Sequence, residues 1–211
     1  MLPNAHPLPN GLVVMFEGID GVGKTTQIKL VQQTLEDKGW PVMVTRNMGG
    51  TPIGEALREV IMSPLERPPL TDFYTSLAIQ EPLFGVIDTA RAAGKVILMD
   101  RGPLSLAAYQ IYGAGIDESI GWQHVDSGMS RIKPEITILY DMDPEPARER
   151  NQKHPEKTSY FESKPLGYFQ KVAEGFRAAS KRYPLTTINA AQPIEAVQEE
   201  TLAAVSKLLQ T

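Results

Sequence analysis

No cysteine occurs in the chain, which removes disulfides, thiol nucleophiles and cysteine-ligated zinc together. Histidine is nearly as scarce, and His6, His124 and His154 stand too far apart in sequence to suggest a histidine-rich metal site. No apolar run approaches the roughly 18–20 residues that a membrane-spanning helix needs. The first ten residues carry three prolines and no basic start. They argue against a signal peptide and for a flexible, extended tail over 1–10, and a cytoplasmic protein is expected. Neither sign of charge prevails: 21 Lys+Arg against 25 Asp+Glu leave a net charge of −4. That balance speaks against coating a nucleic-acid backbone but is compatible with a local basic pocket. Aromatics are few, at 7%, yet 42% hydrophobic and 22% charged residues in a 211-residue chain suit one folded domain over 11–211.

Within that domain, apolar β-rich runs alternate with segments of helical period. Strands are expected at Leu12–Phe16, Val42–Thr45, Val96–Met99, Ile136–Tyr140 and Thr186–Ile188. Helices are expected at Thr25–Lys38, Ile53–Ile61, Asp72–Ala92, Leu106–Tyr112, Glu118–Met129, Glu145–Asn151, Leu166–Arg182 and Ile194–Leu209, with Pro82 kinking or breaking the third. Nearly continuous apolar strands alternating with helices imply an α/β three-layer sandwich. Its central parallel sheet of about five strands would be covered by helices on both faces. Ligands of such sheets bind at the carboxyl ends of the strands.

Directly after the first strand stands Gly18-Ile-Asp-Gly-Val-Gly-Lys24-Thr25, a full GxxxxGK[ST] motif with a strand before it and a helix after it. Gly18, Gly21 and Gly23 allow the backbone to curl so that successive N–H groups, with Val22 and Thr26 in the same cradle, face phosphate oxygens. Lys24 can reach the β- and γ-phosphates of ATP, and the Thr25 hydroxyl can ligate Mg²⁺. The motif fixes a P-loop NTPase-type fold and a nucleoside-triphosphate site. The Asn-Lys-x-Asp tetrapeptide by which small GTPases read guanine begins at none of the five asparagines. A second strand, Val96–Met99, delivers Asp100 and Arg101 to the same edge. Asp100 there can hold Mg²⁺ beside Thr25, and Arg101 suits bidentate phosphate binding. Asp141 at the end of the fourth strand reads instead as part of a helix start, with Pro144 in the first turn.

Four ordered segments together resemble the thymidylate kinase family. They are Phe16-Glu-Gly-Ile-Asp-Gly-Val-Gly-Lys-Thr-Thr-Gln27, Thr45-Arg-Asn-Met-Gly-Gly-Thr-Pro-Ile-Gly-Glu55, Asp100-Arg101 with Ser105 and Ala108-Tyr109-Gln110, and Lys133 to Asp141 followed by Asp143-Pro-Glu, Ala147 and Arg150. The resemblance runs from Leu12 to Leu209. It implies Mg²⁺- and ATP-dependent phosphorylation of a pyrimidine deoxynucleoside monophosphate, dTMP to dTDP, by a homodimer packed through helices such as Leu83–Ala92.

By the same resemblance, Asp20 would face the acceptor's 3′-hydroxyl or the metal, Arg46 and Arg58 would line the acceptor pocket, and Arg101 would clamp the acceptor phosphate. Ser105 belongs to the same substrate-binding set. Tyr109 would lie under the ribose and disfavour a 2′-hydroxyl, Gln110 would bond the pyrimidine edge, and Tyr74 would stack on the base. A basic segment at about 148–164 corresponds to the family's lid, with Arg150 or Lys153 as its catalytic cation. Such a cation can contribute about 10³–10⁵ in rate.

Several acceptor-side positions depart from the family pattern. Asn47-Met48 replaces Glu-Pro, and the Arg usual in the long helix falls at Ala78 or Ile79. Gly102-Pro103 replaces an aromatic after Asp-Arg, and the lid's Asp-Arg aligns near Ser159-Tyr160. Three readings follow: a thymidylate kinase, a kinase for another or modified pyrimidine mononucleotide, and a P-loop nucleotide-binding regulatory protein with weak transfer.

Overall fold

In the first strand, alternate side chains part to opposite faces of the sheet, and this alternation builds the molecule. The computed structural model describes residues 2–152, 160–161 and 164–210. Five strands, β1 (Leu12–Glu17), β2 (Val42–Arg46), β3 (Val96–Asp100), β4 (Ile136–Asp141) and β5 (Thr186–Asn189), form one all-parallel sheet in the order β2-β3-β1-β4-β5. Val14, Phe16 and Leu98 face one hydrophobic core; Val13, Met15, Ile97 and Met99 face the other. Helices α1 (Lys24–Glu36) and α8 (Ile194–Leu208) cover the first face through Ile28, Val31, Val197 and Val205. Helices α3 (Pro69–Ala92) and α5 (Glu118–Ile132) cover the second through Leu83, Ile87, Val125 and Ile132. A parallel sheet leaves no solvent face, so its strands are apolar on both sides.

The described residues also form α2 (Pro52–Met62), α4 (Pro103–Leu106), α6 (Pro144–Gln152) and α7 (Leu166–Arg182). The Thr51 side chain caps α2 by accepting from the Gly54 N–H at 3.0 Å. Helix α3 runs unbroken through Pro82, against expectation. The proline removes one backbone donor, and burial of Leu83, Phe84 and Ile87 in the following turn offsets that loss. The expected helix at Leu106–Tyr112 differs as well: α4 passes into a π-helical stretch, Ala107–Gly113. The wider turn there changes the phase of Tyr109 and Gln110 relative to an α-helix.

The amino-terminal tail is not free. Leu2 is buried, the Trp40 Nε1–H donates to the Pro3 carbonyl at 3.1 Å, and the Ala5 N–H donates to the Lys38 carbonyl at 2.9 Å. His6 sits edge-on against Trp40 and pairs through Nε2 with the Leu209 carbonyl at 3.0 Å. Apolar surface around Trp40 gives the segment a seat. Among the described residues no helix is long and apolar enough to cross a membrane.

Candidate active site

Each strand ends on a polar residue at the carboxyl edge: Glu17, Arg46, Asp100, Asp141 and Asn189. The order β3-β1-β4 puts the turn after β1 at the centre of that edge. This turn is the P-loop. Gly21 has φ +87°, and a methyl group added there would fall 2.0 Å from the Ala147 carbonyl oxygen at the base of α6. Only glycine fits both the backbone and the space. Lys24, the first residue of α1, turns back over the loop and donates to the Gly18 and Ile19 carbonyls at 2.9 and 2.8 Å. Burial and the neighbouring Arg101 depress its pKa to about 8, against the pull of Asp20, Asp100 and Glu17.

The Thr25 Oγ1 lies 3.5 Å from Asp100 Oδ2. The other carboxylate oxygen, Asp100 Oδ1, is buried and has no hydrogen-bond partner among the described residues. An orphaned hard oxygen beside a P-loop hydroxyl fits a divalent cation with oxygen ligands, and Mg²⁺ would complete its shell with water and phosphate. The described residues hold no cluster of three or more His, Cys, Asp or Glu that could bind a metal by themselves.

Arg101 is the hub of the site. Its backbone is left-handed, φ +63°, which disfavours any residue with a Cβ. The side chain holds it there by four hydrogen bonds: Nη1 to the Gly18 carbonyl (2.9 Å) and Ser105 Oγ (3.1 Å), and Nη2 to Asp20 Oδ1 (2.5 Å) and Tyr109 Oη (3.1 Å). The Tyr109 hydroxyl in turn donates to Asp20 Oδ2 at 2.8 Å. Burial opposes ionisation of Asp20, but Arg101, Lys24 and Tyr109 together hold its pKa below the ordinary value. Beneath this cluster Glu17, fully buried, accepts from the Gly102 and Ser105 N–H groups at 2.9 and 3.1 Å and from Ser105 Oγ at 2.5 Å. Burial pushes the Glu17 pKa up to about 7, moderated by those bonds and by Arg101.

Two cavities meet at Arg101. The larger, about 1230 Å³, runs along the P-loop from Gly21 to Thr26, past Asp100 and Arg150 to the loop Ala190–Pro193. The smaller, about 160 Å³, is lined by apolar Met48, Met62 and Leu106 and by polar Ser76, Gln80 and Gln110. Asp20, Asn47, Arg58 and Arg101 border both. The family model for thymidylate kinase matches residues 16–201. The chain belongs to the thymidylate kinase family. Relatives described as thymidylate kinase include one from Pelotomaculum thermopropionicum, 34% identical over 205 residues covering 94% of both chains. Others come from Geobacillus thermodenitrificans, 33% identical over 95% of this chain and 92% of the relative, and from an Exiguobacterium species, 33% identical over 92% and 93%.

Against the thymidylate kinase pattern, the expected site residues separate into groups. Gly18, Asp20, Lys24, Thr25, Asp100, Arg101, Ser105 and Tyr109 come together through the contacts described above. Gln110 lines the small cavity and is 3% exposed, its Oε1 without a partner among the described residues. Val22 and Thr26 line the large cleft. Arg58 borders both cavities and donates to the Met48 carbonyl at 2.7 Å, whereas Arg46 borders only the large one and is paired with Glu55 at 2.5 Å. Arg150 lines the large cleft and donates to the Ala190 carbonyl at 3.1 Å. Lys153 lies outside the described residues.

Tyr74 is placed differently from expectation. It is 57% exposed and absent from the cavity wall, while Ser76 and Gln80, one helical turn apart, face the cavity instead. The phase of α3 turns Tyr74 away from them. Leu83–Ala92, expected to offer a packing face to a second copy, buries Leu83, Phe84, Ile87 and Ala90 in the chain's own core.

The sequence reading gave no role to Glu17, Gln80 or Phe161. Phe161 closes the small cavity, with its ring edge-on to Tyr109 at 6.1 Å. Beside it Tyr160 receives the Arg67 guanidinium at 4.8 Å and the Lys164 ammonium at 4.1 Å over its ring. An adjacent aromatic pair inside a charge-rich segment was the available signal for Phe161.

Proposed function

We propose that this protein transfers the γ-phosphoryl group of ATP to the 5′-phosphate of a pyrimidine deoxynucleoside monophosphate, converting dTMP to dTDP. The observation that carries this reading is the junction of two cavities at Arg101, which bonds at once to the P-loop, to Asp20 and to Tyr109. A donor in the large cleft and an acceptor in the small one would bring their phosphates together at that guanidinium. The small cavity supports a single-ring base. Its volume is close to the ~150 Å³ of an apolar cavity that holds benzene.

Phosphoryl transfer asks for little covalent work from the protein and much positioning and charge compensation. The P-loop amides and Lys24 hold the donor phosphates. Arg101, fixed by Gly18 and Ser105, orients the acceptor phosphate for in-line attack and offsets negative charge on the transferring group. Asp20 and Tyr109 take the sugar side of the acceptor, with Asp20 as the site for its 3′-hydroxyl. Thr25 and Asp100 would hold Mg²⁺, which would supply charge neutralisation at the phosphates. Phe161 shields the acceptor from water, which would otherwise compete for the phosphoryl group. Arg150 is the lid cation within reach of the large cleft.

A reaction that consumes ATP and a nucleotide precursor suits the cytoplasm. A homodimer is the expected assembly, and the exposed Ile53, Val60 and Leu70 on α2 and α3 provide apolar surface for it. ADP release from ATP across a panel of deoxy- and ribonucleoside monophosphates tests the reading. A signal strongest with dTMP supports it. A signal strongest with another acceptor transfers the site to that nucleotide, and an acceptor-independent signal removes the kinase assignment.

A further inference from the structure

Asn47 and Gln80 form a buried pair of amides at the wall of the small cavity, joined at 3.2 Å. Amides can present a donor or an acceptor, and usually which end faces a ligand is free. Here it is fixed from one end. The Met48 backbone N–H, which can only donate, donates to the Asn47 side chain at 3.0 Å. That bond assigns Oδ1 to the Met48 side and leaves Nδ2 facing Gln80. Since Nδ2 can only donate, Gln80 must answer with Oε1. The only polar group Gln80 has left is its Nε2, a pure donor. Gly128 on α5 leaves room for that nitrogen, because a methyl group at Gly128 would stand 2.6 Å from it.

We propose that Asn47 is a positioning residue that locks the Gln80 amide as a hydrogen-bond donor, so that the cavity selects a pyrimidine with a 4-keto oxygen over one with a 4-amino group. The inference rests on the pyrimidine-nucleotide reading above and deepens it. Thymine and uracil offer an acceptor at position 4 and an N–H at position 3; cytosine offers the reverse. Gln80 Nε2 matches the 4-keto oxygen. Gln110 lines the same wall, and its amide can turn to offer the now buried and unpartnered Oε1 to the N3–H. Among the described residues no hydrogen bond fixes the Gln110 amide in this way, so it can follow either base. Discrimination therefore falls to Gln80, through Asn47.

The test is the ratio of kcat/KM for dTMP to that for dCMP, at saturating ATP, in the wild type, Asn47→Asp and Gln80→Glu. In Asn47→Asp the carboxylate accepts from Met48 and from Gln80 Nε2, turning Gln80 Oε1 toward the base. In Gln80→Glu the side chain can only accept. Both variants are expected to lower the ratio at least ~10-fold, through the nucleotide KM and kcat together, with KM for ATP changed by less than about twofold. A merely structural role would lower both substrates alike. A ratio within about twofold of wild type in either folded variant overturns the proposal. So does a wild-type preference for dTMP over dCMP below ~10-fold, which needs no variant at all. Absence of ADP release with every acceptor would overturn the kinase reading beneath it, and is distinguishable from both.

Discussion

Arg101 and Asp20, 81 positions apart, close an ion pair of 2.5 Å at the meeting point of the two cavities. The pair is partly buried, and its geometry is shared with Tyr109, so neither partner is free to choose another position. An acceptor phosphate arriving here meets a guanidinium already oriented by protein oxygens. Most of the ordering cost is met during folding rather than during binding.

Arg101→Lys should therefore cost far more than its unchanged charge suggests. An ammonium has no planar fork with which to serve Gly18, Ser105, Asp20 and Tyr109 together. The expected loss is about 10²–10³ in kcat/KM for dTMP, with KM for ATP little changed. Steady-state kinetics check it, and a loss below tenfold would remove Arg101 from the acceptor phosphate.

Lys24→Ala should abolish turnover while the thermal melt shows the fold retained, because the side chain's partners are loop carbonyls rather than the core. The depressed pKa of about 8 adds a second expectation. Bound phosphates favour the protonated ammonium, so ATP binds the charged form, and affinity should weaken as pH rises through about 8. Calorimetric titration between neutral pH and mildly alkaline pH measures this, and a flat profile counts against it.

Glu17→Gln should change how stability depends on pH. The folded Glu17 pKa, about 7, lies above its unfolded value of 4.5. The native state thus binds more protons between those limits, and this group's contribution makes the wild type less stable as pH rises through that window. Gln cannot ionise and keeps the acceptor for the Gly102 and Ser105 N–H groups. The stability difference, variant minus wild type, should grow by about 3 kcal/mol across the window and stay level above it. Urea titrations at a series of pH values follow it; a difference that is constant throughout would show Glu17 ionised in the native state.

Phe161→Ala should open the small cavity from the lid side. KM for dTMP is expected to rise about tenfold as the apolar wall is lost, and KM for ATP should hold. Uncoupled ATP hydrolysis should increase as water enters. Equal effects on both substrates would show that Phe161 supports the fold and not the acceptor.

The strands and the P-loop were legible because they rest on local signals: apolar runs, and a glycine motif between strand and helix. Each strand nevertheless extends one residue beyond its apolar run, through Glu17, Arg46, Asp100, Asp141 and Asn189. Backbone pairing continues past the point where hydrophobicity stops, and of those last polar residues Arg46 and Asp100 line the large cleft. Gln80 and Tyr74 were harder. Which of them faces the cavity depends on the rotational phase of a 24-residue helix, set by packing along its whole length. The π-helical stretch that re-aims Tyr109 and Gln110 has no pattern of its own in the sequence. Glu17 stood inside a motif, but that a carboxylate would be wholly buried beneath an arginine turn follows only from the tertiary structure.

The contact of Gly21 with the Ala147 carbonyl has a mechanical meaning. The P-loop leans directly on the main chain of α6 at a residue that is itself fully buried. That abutment sets α6 against the phosphate cradle, main chain to main chain, with no side chain between them. A side chain at Gly21 would therefore push α6 away from the cradle, and Arg150 one turn further along α6 out of the large cleft.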